Sequence, residues 1–116
     1  MTSATAVLTD VLDAFARGDL SAAAAGFAEH ATYREARKPA VRGQAAVAAH
    51  FARFGASGTA WSFHVDEVIA DADRACVVYR FAVPEGDGKA RLERAGCALV
   101  RLDGRGRITE WREYEG

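Results

Sequence analysis

Residue types that would mark a specialised chain are scarce in this sequence. Two cysteines, two prolines and one methionine among 116 residues exclude a disulfide-dense scaffold and a proline-rich linker or fibre. Cys76 and Cys97 lack metal-ligand spacing, and each sits in an apolar strand pattern where a free thiol acts as a small buried hydrophobe. An excess of one charge is also missing, with 15 Lys and Arg against 16 Asp and Glu and a net charge of −1. That balance gives no basic footprint for nucleic acid and no acidic tail. No apolar run approaches the roughly 20 residues that cross a bilayer, and no basic segment followed by an apolar core opens the chain. The expectation is a soluble, cytoplasmic protein whose partners are small molecules or proteins, with no nucleic acid and no membrane.

What the sequence does contain is enough apolar residues, half of the total, to fill one core, and the length suits a single domain over residues 1–116. Val7 or Leu8, Val11, Leu12 and Phe15 recur at helical spacing, with Thr2 or Ser3 available as a cap and Gly18 placed to stop the helix. Asp19 is a good N-cap for a short Ala-rich helix from Leu20 to about Ala28, with Phe27 as its apolar anchor. Ala31 to Glu35 reads as extended. Gly43 opens a third helix in which Val47, Phe51 and Phe54 share a face, and residues 55–58 close it.

Everything beyond reads as strand. Trp61, Phe63 and Val65 alternate with Ser62, His64 and Asp66, the period of a half-buried strand, and Asp71 to Arg74 is a turn. Cys76 to Val83 is a nearly continuous apolar run broken only by Arg80, the stretch Pro84 to Gly88 is a loop, and Ala90 to Leu102 is one long strand. Asp103-Gly104-Arg105-Gly106 signals a hairpin into a last strand from Arg107 to Tyr114. The pattern predicts an α+β fold, a conical barrel with three N-terminal helices packed on a curved, mostly antiparallel sheet that encloses a pocket.

The order of these pieces resembles the nuclear transport factor 2-like superfamily and its SnoaL-like domain. The resemblance rests on Gly18-Asp19-Leu20, Ala31-Thr32, Arg42-Gly43, the Asp103-Gly104 turn, Gly106-Arg107-Ile108 and Trp111-Arg112-Glu113-Tyr114. It implies the cystatin-like form of this conical barrel and, from members that pair through the outer sheet face, a homodimer. It does not name a reaction, since one pocket serves many chemistries. Compared with ketosteroid isomerase, the general base falls on Glu35, but the two oxyanion donors fall on Val11 and Ala98, which argues against that mechanism. Similarity to limonene epoxide hydrolase is greater at the C-terminus. It implies Glu113 as the water-activating carboxylate, Tyr33 and Glu35 as neighbours of the attacking water, and Arg80 as its arginine, while the general acid falls on Ala82.

The candidate catalytic residues are therefore Glu35, Glu113, Arg80 and Tyr33, with Phe15, Phe51, Trp61, Phe63, Tyr79, Ala98 and Trp111 as ligand-binding wall. Each has a plainer reading. Glu35, between Arg34 and Arg37, would be a solvated charge at a loop mouth. Glu113 would be an outward strand charge unless it shares a pocket face with Trp111, in which case desolvation raises its pKa. Arg80 is either a buried partner for a carboxylate or an arginine snorkelling at a dimer surface. The aromatic residues would simply be core. His30, His50 and His64 lie on separate elements without a metal-binding set, and no phosphate-cradling loop is present, so neither metal nor cofactor is expected. The functional expectation is cofactor-free acid and base turnover of a small apolar metabolite, as isomerase, cyclase, dehydratase or hydrolase. The alternative is a non-catalytic ligand-binding or dimerisation module of the same fold.

Overall fold

The computed structural model describes residues 6–58, 60–85 and 90–115. Helix α1 (Ala6–Ala16) buries Leu8, Val11, Leu12 and Phe15, the stripe that the helical spacing predicts. It ends because Gly18 takes φ of 78°. Gly18 N–H then donates to Phe15 O at 3.1 Å and Asp19 N–H to Ala14 O at 2.8 Å, a paired closure of the last turn. Asp19 at once caps α2 (Leu20–Ala25), its carboxylate accepting from Ala22 N–H at 3.1 Å. The cap thus fixes the angle between the two helices.

Helix α2 is shorter than its composition suggests. Gly26 ends it, and Phe27, read from sequence as a helical anchor, instead opens strand β1 (Phe27–Arg34) with its ring fully buried. Alanine-rich composition alone could not mark that boundary, since helix propensity is a weak prior that packing overrides. A two-residue strand, β2 (Val41–Arg42), pairs antiparallel with β1 and was not visible in the sequence, being too short to show a period. Gly43, at φ of 92°, donates to Ala31 O at 2.7 Å and turns the chain into α3 (Gln44–Ala56). Gln44 Nε2 donates to Phe27 O at 3.1 Å, tying the start of α3 to β1.

The long strands are β3 (Ser62–Asp71), β4 (Arg74–Glu85), β5 (Ala90–Leu102) and β6 (Ile108–Glu115). They complete a mixed six-stranded sheet in the order β2-β1-β6-β5-β4-β3, parallel only where β1 meets β6. β3 and β4 run further than predicted, and the expected loop from Pro84 to Gly88 has Glu85 still in β4, while residues 86–88 lie outside the described residues. The proposed Thr2 or Ser3 cap lies outside them too. Register shifts interrupt β1/β6, β3/β4 and β5/β6, and such irregularities bend strands. The β5–β6 turn is held by Asp103 Oδ1, which accepts from the backbone N–H of Arg105 at 2.8 Å and of Arg107 at 3.0 Å.

Helices cover one sheet face. Leu8, Val11, Phe15, Phe27, Val47, Phe51, Val77, Val100, Ile108 and Trp111 form the continuous core beneath them. Among the described residues no helix is long and apolar enough to cross a membrane. The other sheet face carries Cys76, Val78, Cys97, Leu99 and Tyr114 beside charged neighbours. Both thiols are free and only half-buried there, less enclosed than the sequence pattern implied. Burial together with the nearby Cys97 thiol pushes the Cys76 thiol up.

Candidate functional site

Strand alternation decides which side chains can reach the concave side of the sheet. On β6 it sends Trp111, Glu113 and Glu115 inward, opposite Val100, Ala98 and Gly96 of β5. On β4 it sends Val77, Tyr79 and Phe81 the same way, opposite Ala98, Gly96 and Arg94. On β1, Tyr33 faces inward beside Trp111. Helices α1 and α3 contribute Phe15, His50, Phe51 and Phe54 from the opposite wall. Between them lies a cavity of about 380 Å³, with an adjoining one of about 240 Å³ behind Tyr33, Glu35 and His50.

Glu113 is the polar group at its centre. Trp111 Nε1–H donates to Glu113 Oε2 at 2.8 Å, and the Tyr33 hydroxyl donates to the same oxygen at a long 3.5 Å. Burial disfavours the carboxylate charge. The Trp111 bond opposes that effect, the Glu35 carboxylate adds to it, and the Tyr79 and Tyr33 hydroxyls weakly oppose it. The outcome is a carboxyl pushed up to about 7, because water is lost from the whole group while its donors are neutral. The same burial, with Glu113 nearby, pushes the Tyr33 and Tyr79 phenols up, so both remain hydrogen donors at neutral pH.

Gly96 makes room for the Tyr79 hydroxyl on the cavity side of β5. A Cβ at Gly96 would lie 2.5 Å from Tyr114 O and 3.2 Å from the Tyr79 hydroxyl, so only a residue without a side chain leaves that space open. Around Glu113 and Tyr79 the wall is aromatic. Phe15 meets Phe51, Phe63 and Trp111, Phe63 stacks on Tyr79 with centroids 5.2 Å apart, and Tyr33 meets Phe51 edge-on at 5.0 Å. Such edge and offset contacts hold rings rigidly.

Glu35 stands just beyond β1, on the wall nearest α3. Its Oε1 lies 3.1 Å from His50 Nε2 and 3.7 Å from Lys38 Nζ. A carboxylate can only accept, so His50 Nε2 carries the hydrogen of that contact. Glu113 and Glu35 thus occupy unlike environments, one desolvated among aromatic rings and the other half-exposed between a lysine and a histidine.

Of the sequence-derived candidates, the cavity gathers Glu35, Glu113, Tyr33, Phe15, Phe51, Trp61, Phe63, Tyr79 and Trp111. Arg80 is not among them. It follows Tyr79 on β4, so alternation turns it to the outer face, where it makes a two-pronged pair with Asp66 at 3.0–3.1 Å and holds that carboxyl below its usual range. Ala98 is also corrected: it faces inward but is wholly buried in the core and contributes no cavity surface. His50, considered in the sequence only as a metal ligand, also lines the cavity. Its spacing of three from Val47 and four from Phe54 places it on the inward stripe of α3, a signal the sequence did hold. Arg37, Lys38, Arg94 and Glu115 also line the cavity. Among the described residues no three His, Cys, Asp or Glu side chains are grouped as metal ligands would be.

The family model described as the SnoaL-like domain matches residues 8–111. The chain belongs to the SnoaL-like family. Solved structures extend the likeness to the whole fold. The SnoaL-like chain superposes with a TM-score of 0.80 on SalBIII, an epoxide hydrolase/cyclase-like enzyme with a role in pyran ring formation in the polyether salinomycin, at 18% identity over 97% of this chain and 90% of that one. An epoxide hydrolase of M. tuberculosis resembling limonene epoxide hydrolase gives 0.80 at 22% identity, over 97% and 82%. A nuclear transport factor 2-like protein of unknown function from Cytophaga hutchinsonii gives 0.81 at 17% identity, over 98% and 100%. At these identities the likeness is one of fold. No curated protein sequence matches this SnoaL-like chain significantly.

The raised Glu113 has a measurable effect on stability. The folded chain holds this proton up to about 7, whereas the usual value is 4.5, so between those values the folded state binds more protons than the unfolded one. The contribution is full below about pH 4.5 and is lost as pH rises through 7, a difference of about 3 kcal/mol. In thermal unfolding of the SnoaL-like domain, Glu113→Gln should match the parent near pH 4 and exceed its Tm near about pH 8. Parallel pH profiles for the two proteins would mean that Glu113 is solvated.

Proposed function

We propose that the protein catalyses cofactor-free acid and base chemistry on a small apolar molecule held in the aromatic cavity, of the cyclisation or epoxide-opening type. The observation that carries this reading is the Glu113 carboxyl, raised to about 7 and bonded to Trp111 Nε1 at 2.8 Å, in the same cavity as the Glu35–His50 pair. Two carboxyl groups in unlike surroundings, Glu113 desolvated among aromatic rings and Glu35 paired with His50 and Lys38, can divide the roles of acid and base. A group titrating near neutral pH exchanges its proton readily in either direction. Because Oε2 accepts from Trp111 and Tyr33, the exchangeable proton of Glu113 belongs on Oε1, from which it would pass to a ligand oxygen. Glu35, held by His50 and Lys38, would take the proton from the attacking hydroxyl, water or carbon acid. Tyr33 and Trp111 fix the acid, and the aromatic walls exclude water and orient the apolar body. The epoxide hydrolase and cyclase character of SalBIII and the epoxide hydrolase activity of the M. tuberculosis protein support this class of reaction.

A second reading, ligand binding without turnover, is favoured by the apolar Val11 and Ala98, both buried where oxyanion donors would have stood. The outer sheet face supports a further proposal, a homodimer. Exposed Ile69, Leu99 and Tyr114 lie on it, and the buried Nε of Arg112 on the same face has no hydrogen-bond partner among the described residues.

The enzyme reading predicts that a panel of apolar epoxides will include one converted by the wild-type protein. It also predicts that Glu113→Gln and Glu35→Gln each lower kcat by about a hundredfold or more while leaving Kd for the same compound within about twofold. Tight binding with no conversion of any panel member would instead favour the binding module, and unchanged turnover in Glu35→Gln would remove that residue as the base. For the dimer, sedimentation equilibrium should report twice the chain mass, with Leu99→Glu shifting it to the single chain. A single-chain mass for the parent protein would rule the dimer out.

A further inference from the structure

The cavity mouth is chemically unlike its interior. Three cationic side chains, Arg37, Lys38 and Arg94, line it, together with the carboxylates Glu35 and Glu115. Arg37 Nη2 at 3.9 Å and Arg94 Nη1 at 3.4 Å both point to the same oxygen, Glu115 Oε2. Lys38 Nζ at 3.7 Å shares Glu35 Oε1 with His50. Fixed positive charges at the mouth therefore outnumber the carboxylates beside them by one, before any contribution from His50. The arginine contacts are also longer than the 2.7–2.9 Å of a well-formed charged hydrogen bond, and two guanidinium groups converge on one oxygen where each could grip a whole carboxylate.

The backbone is committed to this arrangement. Lys38 N–H donates to Glu35 O at 3.1 Å, closing a tight turn, and Arg37 within that turn adopts φ of 64°. A bulky L-residue takes the left-handed region only at a cost, and such outliers tend to gather where a side chain has a task. Arg94 arrives from the opposite side, on the inward face of β5 two residues before Gly96. Behind the mouth the wall turns apolar at once, with Trp61 stacked on Phe81 at 6.0 Å and Phe54 against both.

From this juxtaposition we infer that the mouth is a subsite for an anionic group, and that the natural ligand is an apolar, ring-sized molecule bearing a carboxylate or similar anion at one end. The anion would bridge Arg37 and Arg94 with Lys38 beside it, and the apolar body would lie inward along Trp61 and Phe81 toward Glu113. This inference rests on the cavity being the ligand pocket, and it adds both the polarity of the ligand and the direction in which it lies. It also gives Arg37 and the strained turn that carries it a purpose that the acid and base chemistry leaves unexplained.

Two probes of one shape separate the ideas, 2-naphthoate and its neutral amide 2-naphthamide. Calorimetric titration should show 2-naphthoate binding about fivefold more tightly at low salt, with the ratio shrinking as salt is added. In the Arg37→Gln/Arg94→Gln double variant the ratio should fall to about one while the amide affinity stays unchanged, which also shows that the variant is folded. A shift of the Trp111 indole N–H signal on binding would locate both probes inside the cavity. Equal affinities of the two probes for the parent protein overturn the anionic subsite and leave the pocket standing, and a preference for 2-naphthoate that survives in the double variant overturns its assignment to these arginines. If neither probe binds, the ligand-pocket reading itself fails, and the subsite with it.

Discussion

The withdrawal of Glu113 from water is the constraint around which the concave side of this protein is organised. A carboxyl among Phe15, Phe51, Phe63 and Trp111 pays heavily for charge, and three neutral donors only partly compensate. Each of those donors depends on a separate structural decision. Trp111 reaches Glu113 because residues two apart on a strand share a face. Tyr33 reaches it because β1 runs parallel to β6 with Tyr33 beside Trp111. Gly96, directly between β4 and β6, offers no side chain and so leaves room for the Tyr79 hydroxyl beside this group. Sheet order, strand register and a single glycine therefore meet at one oxygen pair.

The remainder of the site grades outward from that point. Next to the desolvated carboxyl lies the shell of aromatic rings. Beyond it Glu35 and His50 form a hydrogen-bonded pair on the helical wall, and at the mouth the cations from the turn after β1 and from β5 face solvent. Polarity rises with exposure, so the interior favours an apolar body and a neutral acid, while the mouth tolerates full charge. Charges on the outer sheet face, such as the Arg80–Asp66 pair, take no part in this gradient, since both groups are open to water and their interaction is screened.

How much of this the sequence disclosed depends on the range over which each feature is determined. Helices α1 and α3 were legible because apolar spacing and the flanking glycines Gly18 and Gly43 are local signals. The strands from β3 onward were legible from alternation and from the Asp103 turn. Phe27 was misplaced because the boundary between α2 and β1 is set by burial against the rest of the core, which no local pattern encodes. β2 exists only as a partner to β1. At the site, Glu113 came from the family resemblance, and its i, i+2 spacing from Trp111 already allowed the two to share a face. Arg80 was misassigned by resemblance although alternation with Tyr79 already pointed it outward. Glu35 was found, but its partner His50 lies on another element, and only the packing of α3 against β1 brings the two together. The cationic mouth was invisible for the same reason, as Arg37, Arg94 and Glu115 are distant in sequence and meet only through sheet order.

The central claim is that Glu113 is a desolvated carboxyl poised near neutrality, and its titration tests that claim most directly. Side-chain carboxyl signals followed by carbon NMR against pH, with Glu113 assigned by its loss in Glu113→Gln, would give the midpoint without any substrate. The account predicts a midpoint of about 7, well above the usual 4.5. A midpoint at the usual value would show that water reaches the carboxylate, and the acid at the centre of this site would not exist.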